Sequence, residues 1–537
     1  MTLIRATRPL FLPWGLALLA ALCGAAAATL PALALAQTQA ASQSAATPVA
    51  SARPALPPAV LKSLRQAQIP PSAVSVLIAP LADGNATGQP AQALPHRLSY
   101  QAQMASNPAS VMKLFTTAAG LQLLGPDYVW RNRVFTEGQI KEGVLNGHLV
   151  VRGSGDPKLV LERLQDLLAQ VMAAGVREVR GDIVLDRSVF DVRERSEPFD
   201  DEPLRPYNVT PDGLLLNFKT VIYKFTPLSA GGAVQVRFEP PLAGLDVPTQ
   251  MPASAAACSD WRSQLKADFS LPLAVRFAGS YPVRCGEREW PVAFPDPEQY
   301  ALRMVQAMWL AAGGQLTGQV RYGLRSPTAK LLVDAPSLPL AEIIQDINKF
   351  SNNVMAQQLF LTLSSELGAP GRFEASRLRM SRWWRSNFPA LEEPILDNGS
   401  GLSRTERSTA AALTALLQSA HAGPHARAFT QSLSVAGVDG TTSRLKDRNP
   451  QSPVIGNAWL KTGSLRDVIS VAGYVQGQSG KRYTVVAIVN HVNASQARLA
   501  LDQLLEWTVR DQNNSENNRS TPRSGTSEPR QSTHDPD

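Results

Sequence analysis

Apolar residues recur along the chain in runs whose length and period predict strands and helices. Residues 74–79 form a short, mostly apolar run that predicts a strand. The run at residues 114–121 is apolar almost all round, which favours a buried helix over a surface helix. Near the other end of the chain, residues 470–475 and 482–490 are apolar and joined by turn residues, so they predict a hairpin. A last helix is predicted over residues 495–508.

The middle of the chain, from about residue 128 to residue 322, has a different character. Short apolar segments separated by Gly, Pro and Asp turns predict strands there, with helices among them. The strands are predicted over residues 147–152, 179–186 and 233–238, and the helices over residues 159–175 and 303–313. Beyond this region, helices are predicted over residues 340–363, 374–388 and 408–419. The pattern therefore predicts a mainly β region in front of a helix-rich one.

The first 36 residues have the order of a secretory signal peptide. Arg5 and Arg8 precede a long apolar run that ends in Ala34-Leu35-Ala36, the small-residue pattern of a cleavage site. Such a signal predicts export to the periplasm; an uncleaved membrane anchor is the alternative, because the apolar run is long. Residues 37–58 and 511–537 are rich in small and polar residues, and they predict a disordered spacer and a disordered tail.

The net charge and the positions of the cysteines and histidines limit the classes of function that the chain can have. The chain has 52 Lys and Arg against 44 Asp and Glu, a net charge of +8 that is not concentrated in one block. A solvated surface accounts for this excess; if it has a function in an exported protein, that function is attraction to cell-wall polymer or phospholipid headgroups more readily than to nucleic acid. Cys258 and Cys285 lie beyond the signal, and an even pair in an exported chain can form a disulfide. The six histidines lack the His-Glu-x-x-His spacing of zinc enzymes, so neither a metal nor another cofactor is predicted.

A candidate nucleophile lies at the start of the predicted buried helix. Pro108 suits the first turn of a helix, and Ser110 and Lys113, three positions apart, share one helix face. Burial lowers the pKa of a lysine, so its neutral amine can accept the proton of a neighbouring serine. The same Ser-x-x-Lys spacing occurs at residues 263–266 and 443–446, so the motif alone does not identify the pair.

Two further motifs follow in order, Ser351-Asn352-Asn353 and Lys461-Thr462-Gly463-Ser464. Lys-Thr-Gly occurs once in the chain and comes just before the predicted hairpin. Together with Ser110-x-x-Lys113, these motifs resemble those of the penicillin-recognising serine enzymes, in which Lys-Thr-Gly lies on a strand that lines the active site. The resemblance covers about residues 60–510 and includes the stretches 152–157, 207–212, 397–404 and 437–441.

The resemblance implies catalytic roles for four side chains. Ser110 would attack a substrate amide to form an acyl-enzyme, and Lys113 would act as the base. The positive charge of Lys461 would help to keep Lys113 neutral. Ser351 would relay a proton between these lysines and the leaving amine.

The remaining motif residues are implied to bind the substrate. Asn353 would hold the base and the substrate backbone, and Lys461 with Thr462 would bind a terminal carboxylate. Gly463 would leave room for the substrate to pair alongside its strand. The backbone N–H of Ser464, together with that of the nucleophile, would hold the developing oxyanion.

About 240 residues separate the first two motifs, far more than a compact β-lactamase needs. The chain is in this respect similar to the low-molecular-mass class C penicillin-binding proteins, D-alanyl-D-alanine carboxypeptidases and endopeptidases with large domains inserted at this point. The resemblance implies an α/β fold, in which an antiparallel sheet is flanked by helices. That catalytic domain would comprise residues 59–127 and 323–510, split by a mainly β insertion over residues 128–322.

The activity implied is hydrolysis of D-alanyl-D-alanine peptides, with endopeptidase cleavage of cross-links as a second activity of the family. The partners are accordingly peptidoglycan stem peptides, and β-lactams that acylate Ser110 as substrate mimics. No nucleic acid is expected, whereas a loose membrane association and a homodimer stay open.

A serine β-lactamase and a non-catalytic peptidoglycan-binding protein are the alternative functions. Class A β-lactamases activate a water molecule with a glutamate, by resemblance that of a Glu-x-x-Leu-Asn motif, and residues 142–146 match these letters. Their composition and position favour a hairpin turn instead. The presence of every motif residue favours an enzyme over a protein that only binds the wall.

Overall fold

Two distant parts of the chain build one antiparallel sheet of six strands, here called the central sheet. The computed structural model describes residues 55–81, 95–192, 199–228, 231–271 and 273–514. The strand order of the central sheet is Ser434–Val435, Ala458–Leu465, Val468–Gln476, Arg482–Asn490, Val74–Pro80 and Leu98–Tyr100. The predicted hairpin is confirmed as the adjacent strands Val468–Gln476 and Arg482–Asn490.

Both faces of the central sheet are buried, because successive residues of a strand enter different cores. Val486 and Ile488 belong to one core, and Val485 and Ala487 to the other. The first core also takes residues from the helices Lys113–Leu124, Leu340–Lys349, Asn353–Ser365, Phe373–Asn387, Ala410–Ala422 and Ala426–Gln431. The second takes residues from Pro58–Gln66, Leu445–Arg448 and Arg498–Val509. An antiparallel sheet flanked by helices is the predicted fold class, and it is confirmed.

The helix Lys113–Leu124 lies deep in the first core. Every residue from Lys113 to Leu121 is buried, as the apolar run predicts. One tighter helical turn, Ala109–Met112, precedes this helix and carries Ser110. The candidate nucleophile therefore lies where a loop enters a helix whose first nine residues are buried.

The helical segment predicted over residues 340–363 is two helices, so the prediction of one continuous segment is wrong. Leu340–Lys349 and Asn353–Ser365 are separated by three residues. Ser351 has a φ of 58°, in the left-handed region that a helix of L-residues does not enter. Asn352 then accepts a hydrogen bond from the backbone N–H of Met355 (3.1 Å) and starts the second helix.

The middle of the chain forms further sheets around a core of its own. One sheet contains Gln315–Leu316, Glu178–Val179, Val144–Arg152, Arg131–Lys141, Lys330–Pro336, Ile183–Asp186 and Val320–Tyr322. Another contains Tyr281–Pro282, Gln250–Ser254, Ala233–Glu239, Thr220–Pro227 and Arg288–Ala293, and Ala267–Leu271 pairs with Ala274–Phe277. The helices here are Leu161–Ala173, Trp261–Gln264 and Pro297–Ala311. The predicted mainly β character of the insertion is confirmed, although the strand predicted over residues 179–186 is two strands.

Cys258 and Cys285 form a disulfide in this middle region. Cys285 is buried in the core, and Cys258 packs against it. The pairing that the sequence left open is therefore present.

The predicted signal peptide, residues 1–36, lies outside the described residues, as do residues 37–54 and 515–537. The prediction that the disordered spacer extends to residue 58 is wrong for its last residues. Leu56 is buried, and a helix begins at Pro58. The tail predicted from residue 511 is wrong at its start, since Asp511 is buried and accepts a hydrogen bond from Tyr483 Oη (2.9 Å). Within the described ranges, no helix is long and apolar enough to cross a membrane.

Candidate active site

Hydrogen bonds from side chains hold the turn that carries Ser110. Asn107 Oδ1 accepts a hydrogen bond from the backbone N–H of Ala109 (2.8 Å), and Asn107 Nδ2 donates to the Ser403 carbonyl (2.9 Å). Ala109 has a φ of 47°, a conformation that costs free energy for a residue other than glycine. The surrounding contacts thus maintain a strained backbone immediately before the candidate nucleophile.

Three oxygen atoms enclose the Lys113 amine. Lys113 Nζ lies 2.6 Å from Asn353 Oδ1, 2.5 Å from the Ser400 carbonyl and 3.0 Å from Ser110 Oγ. The amide and carbonyl oxygens only accept hydrogen bonds, so they take the two N–H groups of a neutral amine. The lone pair is then left for the hydroxyl proton of Ser110, which is the geometry of a general base.

Two buried lysines face each other in the site. Lys113 and Lys461 have no exposed surface. Burial lowers the pKa of Lys113 well below its ordinary value, and the charge of Lys461 lowers this pKa further, while Glu406 raises it. Burial lowers the pKa of Lys461 to about 7. Burial and the neighbouring lysine thus both favour the neutral form of the Lys113 amine.

The second motif reaches both lysines from the break between two helices. Ser351 Oγ accepts a hydrogen bond from Lys461 Nζ (2.9 Å). Asn353 directs its Oδ1 to Lys113, and its Nδ2 donates to the Tyr207 carbonyl (3.1 Å). The structure thus places Ser351 with Lys461 and Asn353 with Lys113, and it connects the site to the middle of the chain.

Gly463 allows the strand Ala458–Leu465 to lie against the nucleophile turn. A Cβ atom at Gly463 would lie 2.3 Å from Ser470 Oγ, 2.5 Å from the Pro108 carbonyl and 3.1 Å from the Ser110 backbone nitrogen. The first two distances are overlaps, so a larger residue would push the strand away. The third motif therefore needs glycine for close packing, besides the room for substrate that the resemblance implies.

One edge of the same strand is open beside Lys461. The strand Ser434–Val435 pairs only with Trp459 and Leu460. Along residues 461–465, the described chain places no strand on that side. An extended peptide can form main-chain hydrogen bonds with such an edge.

Thr462 and Ser464 complete the third motif at this edge. Thr462 is half-buried, and its Oγ1 donates a hydrogen bond to Thr441 Oγ1 (2.8 Å). Ser464 is exposed. Both residues thus have surface accessible to solvent beside the open strand edge.

The two other Ser-x-x-Lys matches lie at the surface. Ser263 and Lys266 are exposed, and Lys446 is exposed as well. Of the three matches, Ser110 and Lys113 alone combine a buried amine with a neighbouring hydroxyl. The match that the ordered motifs indicate is thus the one with a buried lysine.

The segment that matches the β-lactamase glutamate motif is a hairpin turn, as predicted. Glu142 and Gly143 join the paired strands Arg131–Lys141 and Val144–Arg152. Glu142 is exposed and has a φ of 52°. Its role is therefore that of a turn residue.

The motifs did not identify two residues that shape the site. The Ser400 carbonyl contacts Lys113 Nζ, and Glu406 is fully buried nearby. The glycine-rich stretch 397–404 was a signal for a special backbone. A single glutamate in a polar stretch, however, predicts a surface position. Its burial is visible only in the folded chain.

Two D-alanyl-D-alanine carboxypeptidases are similar in sequence to this chain. The chain is 25% identical over 398 residues to the D-alanyl-D-alanine carboxypeptidase DacB of Haemophilus influenzae. The aligned region covers 71% of this chain and 80% of the relative. It is 28% identical over 420 residues to the D-alanyl-D-alanine carboxypeptidase of Actinomadura sp. strain R39, which covers 74% of this chain and 76% of that relative.

The fold and the sequence both match known proteins along most of the chain. The crystal structure of penicillin binding protein 4 (dacB) from Haemophilus influenzae matches with a TM-score of 0.67 and 22% identity, over 85% of this chain and 99% of that chain. A structure of the same protein in complex with a β-lactam matches with a TM-score of 0.63. Residues 81–511 match the sequence profile of the D-Ala-D-Ala carboxypeptidase 3 (S13) family. Because this match spans well over half of the chain, the protein belongs to the D-Ala-D-Ala carboxypeptidase 3 (S13) family of peptidases.

Proposed function

We propose that the protein is a serine-type D-Ala-D-Ala carboxypeptidase that trims peptidoglycan stem peptides through an acyl-enzyme on Ser110. The observation that carries this proposal is the Lys113 amine, which has acceptors for its two N–H groups and Ser110 Oγ beside its lone pair. Family membership and the two carboxypeptidase relatives support the substrate class.

In the first half-reaction, Ser110 Oγ attacks the carbonyl carbon between the two D-Ala residues, and its proton passes to Lys113 Nζ. The backbone N–H groups of Ser110 and Ser464 stabilise the developing oxyanion. When the C–N bond breaks, Ser351 gives its hydroxyl proton to the leaving amine and regains one from Lys461 Nζ, 2.9 Å away. The proton gained by Lys113 passes to the now neutral Lys461, so Lys113 is again a neutral base, and D-Ala leaves.

In the second half-reaction, water replaces the departed D-Ala. Lys113 accepts a proton from the water molecule, whose oxygen attacks the ester carbonyl. The bond between Ser110 Oγ and the acyl carbon breaks, Ser110 regains its proton, and the shortened peptide leaves with a new carboxylate. The same base thus serves both steps.

Substrate binding is proposed at the open strand edge. The stem peptide would add to residues 461–465 as an extended strand, and Lys461 with Thr462 would bind the free carboxylate of the terminal D-Ala. Asn353 would orient Lys113 in the same site. A carboxylate would also favour the protonated form of Lys461, which keeps the proton away from Lys113.

β-Lactams and cross-linked peptides are proposed as further acyl donors. A β-lactam presents a strained amide and a carboxylate to the same groups, and the β-lactam complex of Haemophilus influenzae penicillin binding protein 4, which shares this fold, supports the proposal. In a cross-link, the D-Ala carbonyl is bonded to an amine of a second stem peptide. Endopeptidase cleavage would therefore use the same nucleophile with a larger leaving group.

Location and domain organisation follow from the same proposal. A peptidoglycan substrate and the signal-like residues 1–36 support a periplasmic location. We further propose one catalytic domain around an inserted domain that begins at residue 128. The separate core of the middle region supports this division, but it includes Val333, and the strand Lys330–Pro336 pairs with Arg131–Lys141. We therefore place the end of the insertion after residue 336 instead of the expected residue 322, so that the catalytic domain comprises residues 59–127 and 337–510.

Labelling with a fluorescent penicillin tests the proposed nucleophile. We expect stable labelling of the purified wild-type protein and of the control Ser263→Ala, and no labelling of Ser110→Ala. Rapid loss of the label would favour the β-lactamase alternative, because deacylation would then be fast. A folded wild-type protein that takes no label would favour a protein that only binds peptidoglycan.

A further inference from the structure

A buried carboxyl group lies close to the site and takes no part in the reaction described above. Glu406 has no exposed surface. Its Oε1 accepts hydrogen bonds from three successive backbone N–H groups, those of Asp397 (3.0 Å), Asn398 (3.2 Å) and Gly399 (3.3 Å). Its Oε2 is buried and has no hydrogen-bond partner among the described residues. Full burial of a carboxyl group is rare and costly, so it calls for a reason beyond packing.

The backbone that Glu406 binds leads directly to the catalytic lysine. Residues 397–401, here called the lysine loop, pass along the helix Lys113–Leu124. The Ser400 carbonyl of this loop lies 2.5 Å from Lys113 Nζ. One helical turn further on, the Gly399 carbonyl accepts a hydrogen bond from Thr116 Oγ1 (2.7 Å). Glu406 therefore holds one side of the lysine loop, and the other side of the loop holds the lysine.

The lysine loop has almost no room to adjust. Gly401 has a φ of 81°, and a Cβ atom on it would lie 2.0 Å from the Ala109 carbonyl in the nucleophile turn. Within the loop, Asn398 Oδ1 accepts a hydrogen bond from the backbone N–H of Ser400 (2.9 Å). A change in the position of residues 397–399 must therefore move the Ser400 carbonyl or the turn that carries Ser110.

The position of the Ser400 carbonyl decides where the Lys113 lone pair points. A neutral amine has two N–H groups, and Asn353 Oδ1 and the Ser400 carbonyl accept them. If the Ser400 carbonyl moves away, the amine can rotate about its terminal bond, and the lone pair then leaves Ser110 Oγ. The chemistry thus depends on a carbonyl that Glu406 holds indirectly.

We propose that Glu406 is a positioning residue of the acylation step, because it fixes the lysine loop and thereby directs the lone pair of Lys113 to Ser110. This inference rests on the proposed function, in which Lys113 is the base. Glu406 does not touch the substrate; it acts through the backbone of residues 397–400.

The charge of Glu406 has a second effect on the same lysine. Lys113 faces Lys461 from the central sheet and Glu406 from beyond the lysine loop, and Glu406 raises the pKa of Lys113 against burial and Lys461. Glu406 itself faces Asp397, whose backbone carbonyl accepts a hydrogen bond from Arg377 Nη1 (3.0 Å). Burial raises the pKa of Glu406, and the three N–H groups oppose this. Replacement of an ionised Glu406 by a neutral residue would remove this contribution and lower the pKa of Lys113 further.

The test measures the second-order rate of acylation by a fluorescent penicillin, as a function of pH, in the full chain. Glu406→Gln keeps an accepting oxygen but loses the charge, Glu406→Ala loses both, and exposed Glu392→Gln is the matched control. We expect Glu406→Ala to lose about 100-fold in rate, the effect of a small misplacement of catalytic groups. We expect Glu406→Gln to lose less and to shift the acidic limb of the profile to lower pH.

The outcomes separate this inference from the proposed function. If the wild-type protein is not acylated, the proposed function fails. If the wild-type protein and Glu392→Gln are acylated alike and the folded Glu406 variants keep both the wild-type rate and the wild-type acidic limb, Glu406 does not position the base and the inference is overturned. Circular dichroism monitors folding, and the isosteric Gln variant keeps the test valid should the Ala variant fail to fold.

Discussion

Two Ser-x-x-Lys pairs of identical spacing have opposite surroundings in this molecule. Lys113 is fully buried and contacts Ser110 Oγ, Asn353 Oδ1 and the Ser400 carbonyl. Lys266 is exposed and follows a short helix in the middle of the chain. An exposed amine stays hydrated and protonated at neutral pH, whereas a buried one loses its proton readily. The two pairs thus differ in burial and not in spacing, and burial is what suits Lys113 to the role of the proposed base.

The largest difference between the two pairs is expected in the rate of acylation after removal of the amine of Lys113 or of Lys266. We expect Lys113→Met to lower the rate of acylation by penicillin by about 10²- to 10⁴-fold, since a general base contributes an effect of this size. The matched control Lys266→Met should react at the wild-type rate. Gel fluorescence after timed exposure measures both rates. An unchanged rate in folded Lys113→Met would mean that another group accepts the Ser110 proton.

Burial of the lysines should also appear in the pH dependence of stability. Burial lowers the pKa of Lys461 in the folded state to about 7, whereas an unfolded lysine titrates near 10.4. Between these values the unfolded chain binds a proton that the folded chain lacks. The free energy of unfolding therefore rises with pH from about 7 to 10, by up to about 1.4 kcal/mol per pH unit for one proton.

Urea unfolding at several pH values measures this slope. We expect a smaller slope in Lys461→Met than in the wild-type protein, and a wild-type slope in Lys446→Met, because Lys446 is exposed. Part of the slope should persist in Lys461→Met, since burial lowers the pKa of Lys113 as well. Equal slopes in wild-type and Lys461→Met proteins would contradict a depressed pKa at Lys461.

The smallest effect on the site is expected from the disulfide in the middle of the chain. Replacement of Cys258 and Cys285 by serine should lower the free energy of unfolding by about 3 kcal/mol, the usual loss for a loop of this size. Acylation of the folded variant should proceed at the wild-type rate. Urea unfolding and penicillin labelling test the two halves of the prediction. Slower acylation would show that the middle region acts on the site; the hydrogen bond from Asn353 Nδ2 to the Tyr207 carbonyl is one contact that could transmit such an effect.

Much of the fold was predictable from local pattern. The hairpin of residues 468–490 has continuous apolar strands joined by turn residues, and its pairing is local in sequence. The helix Lys113–Leu124 is apolar almost all round, which allows only a buried position. The helix break at Ser351 was not predictable from periodicity, because the apolar pattern continues across it. Its cause is a left-handed residue followed by the Asn352 cap.

The candidate site likewise has features that the sequence predicts and features that only the folded structure shows. The sequence alone determined the order and chemistry of the three motifs, because the side chains that react must be of particular types whatever surrounds them. Only the tertiary structure decided that Lys113 is buried, that the Ser400 carbonyl accepts one of its N–H groups, and that Glu406 lies beneath the lysine loop. The contacts of Lys113 join segments hundreds of residues apart, so no local pattern predicts them. Glu406 binds residues close to it in sequence, but its burial depends on the packing of the whole fold.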